Sequence, residues 1–200
     1  MRLTDDRYAG ERSQFELALR MIRHEARTRT IKDCTGLSDD RIRKLYSTYF
    51  RNSGISGVRR RRGKSPRQIT RFVKNPAHQL QATTLVALYC VGLLLRISQD
   101  NSVHACWPRP DVEFGHRVCR AFETYLMLHD EPLLNFEWAW NLLRSICYND
   151  ELYLAICAAC RASYVQDAYA IDTKTCPSCE IESHQYRRPA IHCLQGDGFR

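Results

Sequence analysis

No apolar run in this 200-residue chain is long enough to cross a bilayer. The best candidate, Leu85 to Leu95, ends after eleven residues, which suits a buried helix rather than a span of about 20. No leader-like segment opens the sequence, and the ten cysteines form no framework of the secreted type. Acidic residues are missing altogether from Arg51 to Lys74, a stretch that holds nine basic ones. These absences predict a cytoplasmic protein that makes no use of a membrane. They also concentrate its charge: outside that stretch, 21 basic residues face 22 acidic ones, so the net charge of +8 belongs to one segment. A near-neutral body with one dense positive segment suits a polyanion, most often nucleic acid. The alternative for Arg59, Arg60, Arg61 and Arg62, with glycines around them, is a solvated charged loop.

What is abundant is cysteine, and four of the ten are patterned. Cys157-Ala158-Ala159-Cys160 is followed, after fifteen residues, by Cys176-Pro177-Ser178-Cys179. Two cysteines three positions apart on a tight turn can aim both sulfurs at one point. A second such pair completes a tetrahedron of thiolates, the geometry of one structural zinc ion with no open coordination position. The expected ligands are Cys157, Cys160, Cys176 and Cys179. Cys90, Cys119 and Cys147 fall in apolar helical patterns, where a free cysteine behaves as a small hydrophobe. His184, His192 and Cys193 read as parts of a polar tail.

A hydrophobic content of 44% with 26% charged residues is ordinary for a globular chain, and this length builds one core with a small appendix. The periodicity is that of a mainly α protein. Residues 1–10 show no pattern and are expected to fray. From Glu11 to Arg27, Phe15, Ala18, Leu19, Ile22 and Ala26 recur at helical spacing. The next segment, Thr30 to Tyr46, reads as a helix-turn-helix. Gly36 supplies a left-handed turn, and Ile31, Leu37, Ile42 and Leu45 stand at −5, +1, +6 and +9 from it. Ser38 is placed to cap the second helix, and Asp39 and Asp40 suit its positive end. That helix would present Asp40, Arg43, Lys44 and Ser47 to a groove.

Residues 51–70 read as a loop, and Pro76 to Ser98 as a buried helix. Asn101 to Pro110 is a break, Val112 to Leu128 a helix, and a further helix is expected to start at Pro132. Trp138 and Trp140 read as core. Leu152 to Ile156 leads into the first cysteine pair, and Tyr164-Val165 with Tyr169-Ala170-Ile171 suggests a short hairpin between the pairs. The domain plan is N-terminal helices over 11–50, a basic loop over 51–75, a helical core over 76–150, a zinc module over 151–182 and a tail over 183–200.

Several separated stretches together resemble one family, the FlhC flagellar transcriptional regulators. They are Gly36-Leu37-Ser38 with Arg41-Ile42 and Lys44-Leu45-Tyr46, then Ser65-Pro66-Arg67, then Pro132-Leu133-Leu134 with Ala139-Trp140 and Leu143-Arg144. The cysteine segment with Tyr164-Val165 and Ala168-Tyr169 completes the set. The sequence departs from the family pattern in its heavier arginine run and in Arg161-Ala162, where glycines are usual. The resemblance implies a mainly helical fold with a four-cysteine zinc site. It also implies a hetero-oligomer with a small FlhD-like subunit that binds flagellar promoters and helps RNA polymerase initiate.

The resulting expectation is a non-enzymatic DNA-binding activator subunit. Arg43, Lys44, Ser47, Arg59, Arg60, Arg61, Arg62, Lys64 and Arg67 are its candidate DNA contacts. An alternative is a zinc-stabilised RNA-binding or protein-interaction module without promoter specificity. A zinc-deaminase reading through His129 and Glu131 fails, because Ile156 stands where that pattern needs proline and Cys176 and Cys179 go unused.

Overall fold

The computed structural model describes residues 2–51, 57–61, 63, 67–148, 151–170 and 175–186. Its architecture is mainly α, with two small antiparallel hairpins. The first helix, α1 (Arg2–Arg23), reaches back through the segment expected to fray. Its buried stripe includes Leu17, Ala18, Met21 and Ile22. Helices α2 (Thr28–Thr35) and α3 (Asp39–Tyr46) follow, and α3 continues as a widened turn over Ser47–Arg51.

The turn between α2 and α3 is the one the sequence spells out. Gly36 sits at φ 69°, ψ 1°, and its N–H donates to the Lys32 carbonyl at 2.8 Å. The Ser38 hydroxyl accepts from the Arg41 N–H. Ile31, Leu37, Ile42 and Leu45 are all buried.

Helix α5 (Val112–Leu128) crosses both α1 and α2, and Gly115 makes the crossing close. A Cβ at Gly115 would stand 2.5 Å from Leu17 Cδ2 and 3.0 Å from Cys34 Cβ. One turn further along, Arg20 of α1 forks onto Glu123 of α5, with Nε donating to Oε1 at 2.8 Å, while His24 Nε2 lies 2.9 Å from the same oxygen. The His24 ring stacks on Phe136 and meets Phe122 edge-on. Packing on α5 and the contact of Arg27, at the start of α2, with buried Glu137 fix the helix-turn-helix to the core, while Arg20 and Glu123 clamp α1 to α5. Trp140 is buried within that core, and Trp138 lies against its edge across from Phe72.

Two further helices differ in their bounds from expectation. Helix α4 (Pro76–Val91) stops at Gly92, and Leu93 turns left-handed at φ 56°. The chain then enters a hairpin of β1 (Leu95–Ile97) and β2 (Val103–Ala105), in the register Arg96↔His104. Three-residue strands are too short to show alternation in sequence. Helix α6 (Phe136–Tyr148) begins four residues after Pro132. The backbone N–H groups of Leu133 and Leu134 are taken by Gln81 Oε1 and the Tyr125 hydroxyl. Asn135 supplies the cap instead, its side chain accepting from the Trp138 N–H at 3.1 Å.

The second hairpin pairs β3 (Leu152–Ile156) with β4 (Ser163–Asp167), and Leu154 stands opposite Val165. It therefore forms before the second cysteine pair begins, with the first pair at its tip. Tyr169 lies outside it and is exposed, and Ile171 is outside the described residues. Helix α7 (Pro177–Tyr186) closes the described chain.

The hairpin is stitched to α4 by side chains acting as a substitute strand edge. Gln79 Nε2 donates to the Val165 carbonyl at 2.8 Å, and the Val165 N–H donates to Thr83 Oγ1 at 3.1 Å. Asn101, left-handed at the β1–β2 turn, donates to the Leu154 carbonyl and accepts from Ser163.

Candidate metal centre and basic surface

The four patterned cysteines converge. Cys157 and Cys160 occupy the β3–β4 turn, which is closed by Cys157 N–H donating to the Ala162 carbonyl and by Arg161 at φ 65°. Cys176 immediately precedes α7, and Cys179 lies in its first turn. All four sulfurs fall within 4.8 Å of one another. Cys157 and Cys179 are 3.9 Å apart, and Cys160 and Cys176 are 3.6 Å apart.

Those separations are diagnostic. A disulfide would bring two sulfurs to about 2.05 Å. Four thiolates around one ion at about 2.3 Å stand about 3.8 Å apart along each tetrahedral edge. The observed distances fit the second arrangement, so the donor set fits a single soft, tetrahedral ion. The backbone supports a negative charge there. N–H groups of Cys160, Cys176 and Ala159 hold the Cys157 thiol down to about 6, and the Cys176 N–H reaches its sulfur at 3.2 Å. Crowding works the other way on Cys179, pushed up to about 12 by the Cys176 and Cys160 sulfurs. Four thiols so close cannot all ionise by themselves, and a bound dication removes that conflict.

Cys34, Cys119 and Cys147 keep to packing. Cys119 is buried and pushed up to about 12 by that burial, as is half-buried Cys147. His129 and Glu131 are not part of the metal-capable cluster among the described residues. His129 instead packs with its ring centre 5.0 Å from that of Tyr125. The side chains of His184, His192 and Cys193 lie outside the described set.

The basic candidates also gather, through contacts between distant parts of the chain. Arg43, Lys44 and Ser47 from α3 and its extension, with Arg59 and Arg60 from the loop, line one open cleft of about 800 Å³. Among the described residues, no carboxylate lines it. Arg43 is steadied by Asp40 at 2.8 Å, and the Ser47 hydroxyl turns back to donate to the Lys44 carbonyl. Arg67 is exposed but does not line this cleft, and Arg62 and Lys64 lie outside the described residues.

Among the described residues, three contacts dock the loop, and none was signalled by the sequence. The Tyr46 hydroxyl donates to the Val58 carbonyl at 3.0 Å. Glu25, left-handed at φ 58° between α1 and α2, accepts from the Arg59 N–H at 3.1 Å and from Arg61 Nε at 2.8 Å. Glu25 and Arg59 are 34 residues apart, a separation at which no local pattern operates.

No described helix is long and apolar enough to cross a membrane. Comparison with curated proteins gives no match. Comparison with family models gives one, described as the flagellar transcriptional activator (FlhC), over residues 6–190.

Proposed function

Because the chain belongs to the FlhC family of flagellar transcriptional activators, we propose that it is the DNA-binding subunit of a hetero-oligomer with a FlhD-like partner. It acts at flagellar promoters, where the complex helps RNA polymerase initiate. The family is one of regulators rather than enzymes, and the mechanism is binding. The observation that supports this reading is the cleft, lined by four cations, in which the second helix of the helix-turn-helix meets the arginine loop. Arginines of the loop contact phosphates and set register, while Arg43, Lys44 and Ser47 reach the groove. Arg62, Lys64 and Arg67 extend the phosphate contacts along the same loop.

One zinc ion held by Cys157, Cys160, Cys176 and Cys179 has a structural role in this reading. Four thiolates leave it no open position for substrate. It ties the tip of the β3–β4 hairpin to the start of α7, and the hairpin in turn seats on α4.

The test is co-purification with the FlhD-like protein, followed by titration with promoter and scrambled duplexes at two salt concentrations. The expected result is a zinc-containing complex that prefers the promoter and weakens steeply as salt rises. Equal affinity for both duplexes, or a stronger preference for RNA, would replace this reading with a module lacking promoter specificity.

A further inference from the structure

The cleft between α3 and the loop is the first of three concave surfaces that run into one another. Arg60 lines the first and also the second, a cleft of about 390 Å³ shared with Arg29, Lys32 and Arg61. Arg29 in turn lines both the second and the third, a cleft of about 500 Å³ flanked by Arg109 and Arg144. Among the described residues, ten lysine and arginine side chains line the three, against Asp33 and Asp39. Each of those carboxylates already faces a cation of the same surface: Asp39 lies 3.2 Å from Lys32, and Asp33 lies 3.6 Å from Arg29. Arg27, Arg43 and Arg61 face Glu137, Asp40 and Glu25, which lie outside the lining. Lys44, Arg59, Arg60, Arg109 and Arg144 have no ion pair among the described residues, and each cleft holds at least one of them, so the surface keeps a net positive charge.

The far end is firmly built. Trp107 Nε1 donates to the Leu93 carbonyl at 3.0 Å, and the Arg117 guanidinium lies 5.3 Å over its ring. Phe114 meets both Trp107 and Trp140 edge-on and completes an apolar floor. Arg109 stands between Pro108 and Pro110, which restrict the backbone around it. Arg109 and Arg144 are exposed, and neither has an ion pair among the described residues. Arginines in this state have no structural role to absorb their charge, and their planar forks suit phosphate oxygens.

We propose that bound DNA does not end at the helix-turn-helix. The duplex backbone continues over Arg60, Arg29 and Lys32 to Arg109 and Arg144 at the β2–α5 connection, giving this subunit two separated sets of phosphate contacts. The inference rests on the DNA-binding reading above. Continuity of positive charge through shared residues favours DNA over an acidic protein segment as the occupant of the third cleft. The apolar floor accommodates sugar edges, while the rim arginines take phosphates.

Two double variants of the partner-bound complex test it: Arg109→Ala with Arg144→Ala, and Lys44→Ala with Arg60→Ala. All four side chains lie at the surface or its margin without ion pairs among the described residues, and retained zinc content and helicity verify the fold. Hydroxyl-radical footprints and the salt dependence of affinity are measured on a long promoter duplex. Loss of two phosphate contacts lowers the slope of log affinity against log salt by about 1.8. The far-end variant is expected to lower it so and to lose protection at one end of the footprint only. The cleft variant is expected to weaken protection over the helix-turn-helix segment of the site instead. A far-end variant with the parental footprint and slope, beside a weakened cleft variant, overturns the extended track and leaves the DNA-binding reading intact. Failure of the parent complex to bind duplex overturns that reading itself. If the far-end variant loses its protein partner instead, the third cleft is a subunit interface and the track is wrong.

Discussion

The clamp between α1 and α5 provides a quantitative test of how the first helix is held to the core. Glu123 accepts from Arg20 through both carboxylate oxygens and meets His24 as well, and these contacts, led by Arg20, hold its carboxyl down to about 2 from an ordinary 4.5. At about 1.36 kcal/mol for each pKa step, a fully shielded carboxyl so held would add about 3.4 kcal/mol to folding. Glu123 is 32% exposed and Arg20 26%, so solvent screening reduces the figure to about 1–2 kcal/mol. The folded value lies below the unfolded one, so the stabilisation is complete above about pH 5. It fades as the pH falls from 4.5 towards 2. Glu123→Gln should therefore lower the urea midpoint at pH 7 by the equivalent of about 1–2 kcal/mol, and the gap from the parent should close by pH 2–3. Acid also strips metal from thiolates, but that loss acts on parent and variant alike and cancels in the difference. A gap of the same size at every pH, or no gap at pH 7, would refute the electrostatic account of the clamp.

Three further outcomes are expected. Cys176→Ser should release the metal and unfold the hairpin and α7, since structural zinc contributes about 10–16 kcal/mol in small peptides against a net domain stability of about 5–15; native metal content with an unchanged Tm would contradict the site. Glu25→Ala removes a negative charge beside the proposed DNA cleft, yet it should weaken DNA binding about 5-fold because Arg59 and Arg61 lose their dock; tighter binding would show that charge alone governs the surface. Gly115→Ala drives a Cβ against Leu17 and Cys34 and should destabilise the fold by about 1–3 kcal/mol, read as a fall in Tm; an unchanged Tm would mean that α1 yields freely.

Features encoded within a few residues were legible in the sequence. The Gly36 turn, the Ser38 cap and the four buried apolar positions around them obey local rules of capping and periodicity. The cysteine pairs were legible for the same reason, and their meeting at one point follows from the two short turns that carry them. What escaped depends on distant partners. Pro132 looks like a helix start, but Gln81 and Tyr125, from two other helices, take the N–H groups next to it. The hairpin of β1 and β2 is too short to advertise itself, and the second hairpin, expected wholly after the first cysteine pair, instead carries that pair at its tip. The docking of the arginine loop by Glu25 and Tyr46 joins segments whose nearness only the folded chain creates.

The stitching of β4 to α4 has a consequence for the order in which the chain is made. Gln79 finds its partner at Val165, 86 residues later. At about 5–20 residues per second, a ribosome needs roughly 4–17 s to supply that partner. During that interval α4 can form, but the acceptor for Gln79 and the donor for Thr83 do not yet exist. Leu154 and Val165, both part of the main core, are missing as well. The thiols that close the metal centre arrive with and just after the same hairpin. Capture of the proposed zinc would therefore be a late event in biosynthesis, and the nascent helices spend seconds in a state that a chaperone can recognise and the zinc module cannot yet rescue.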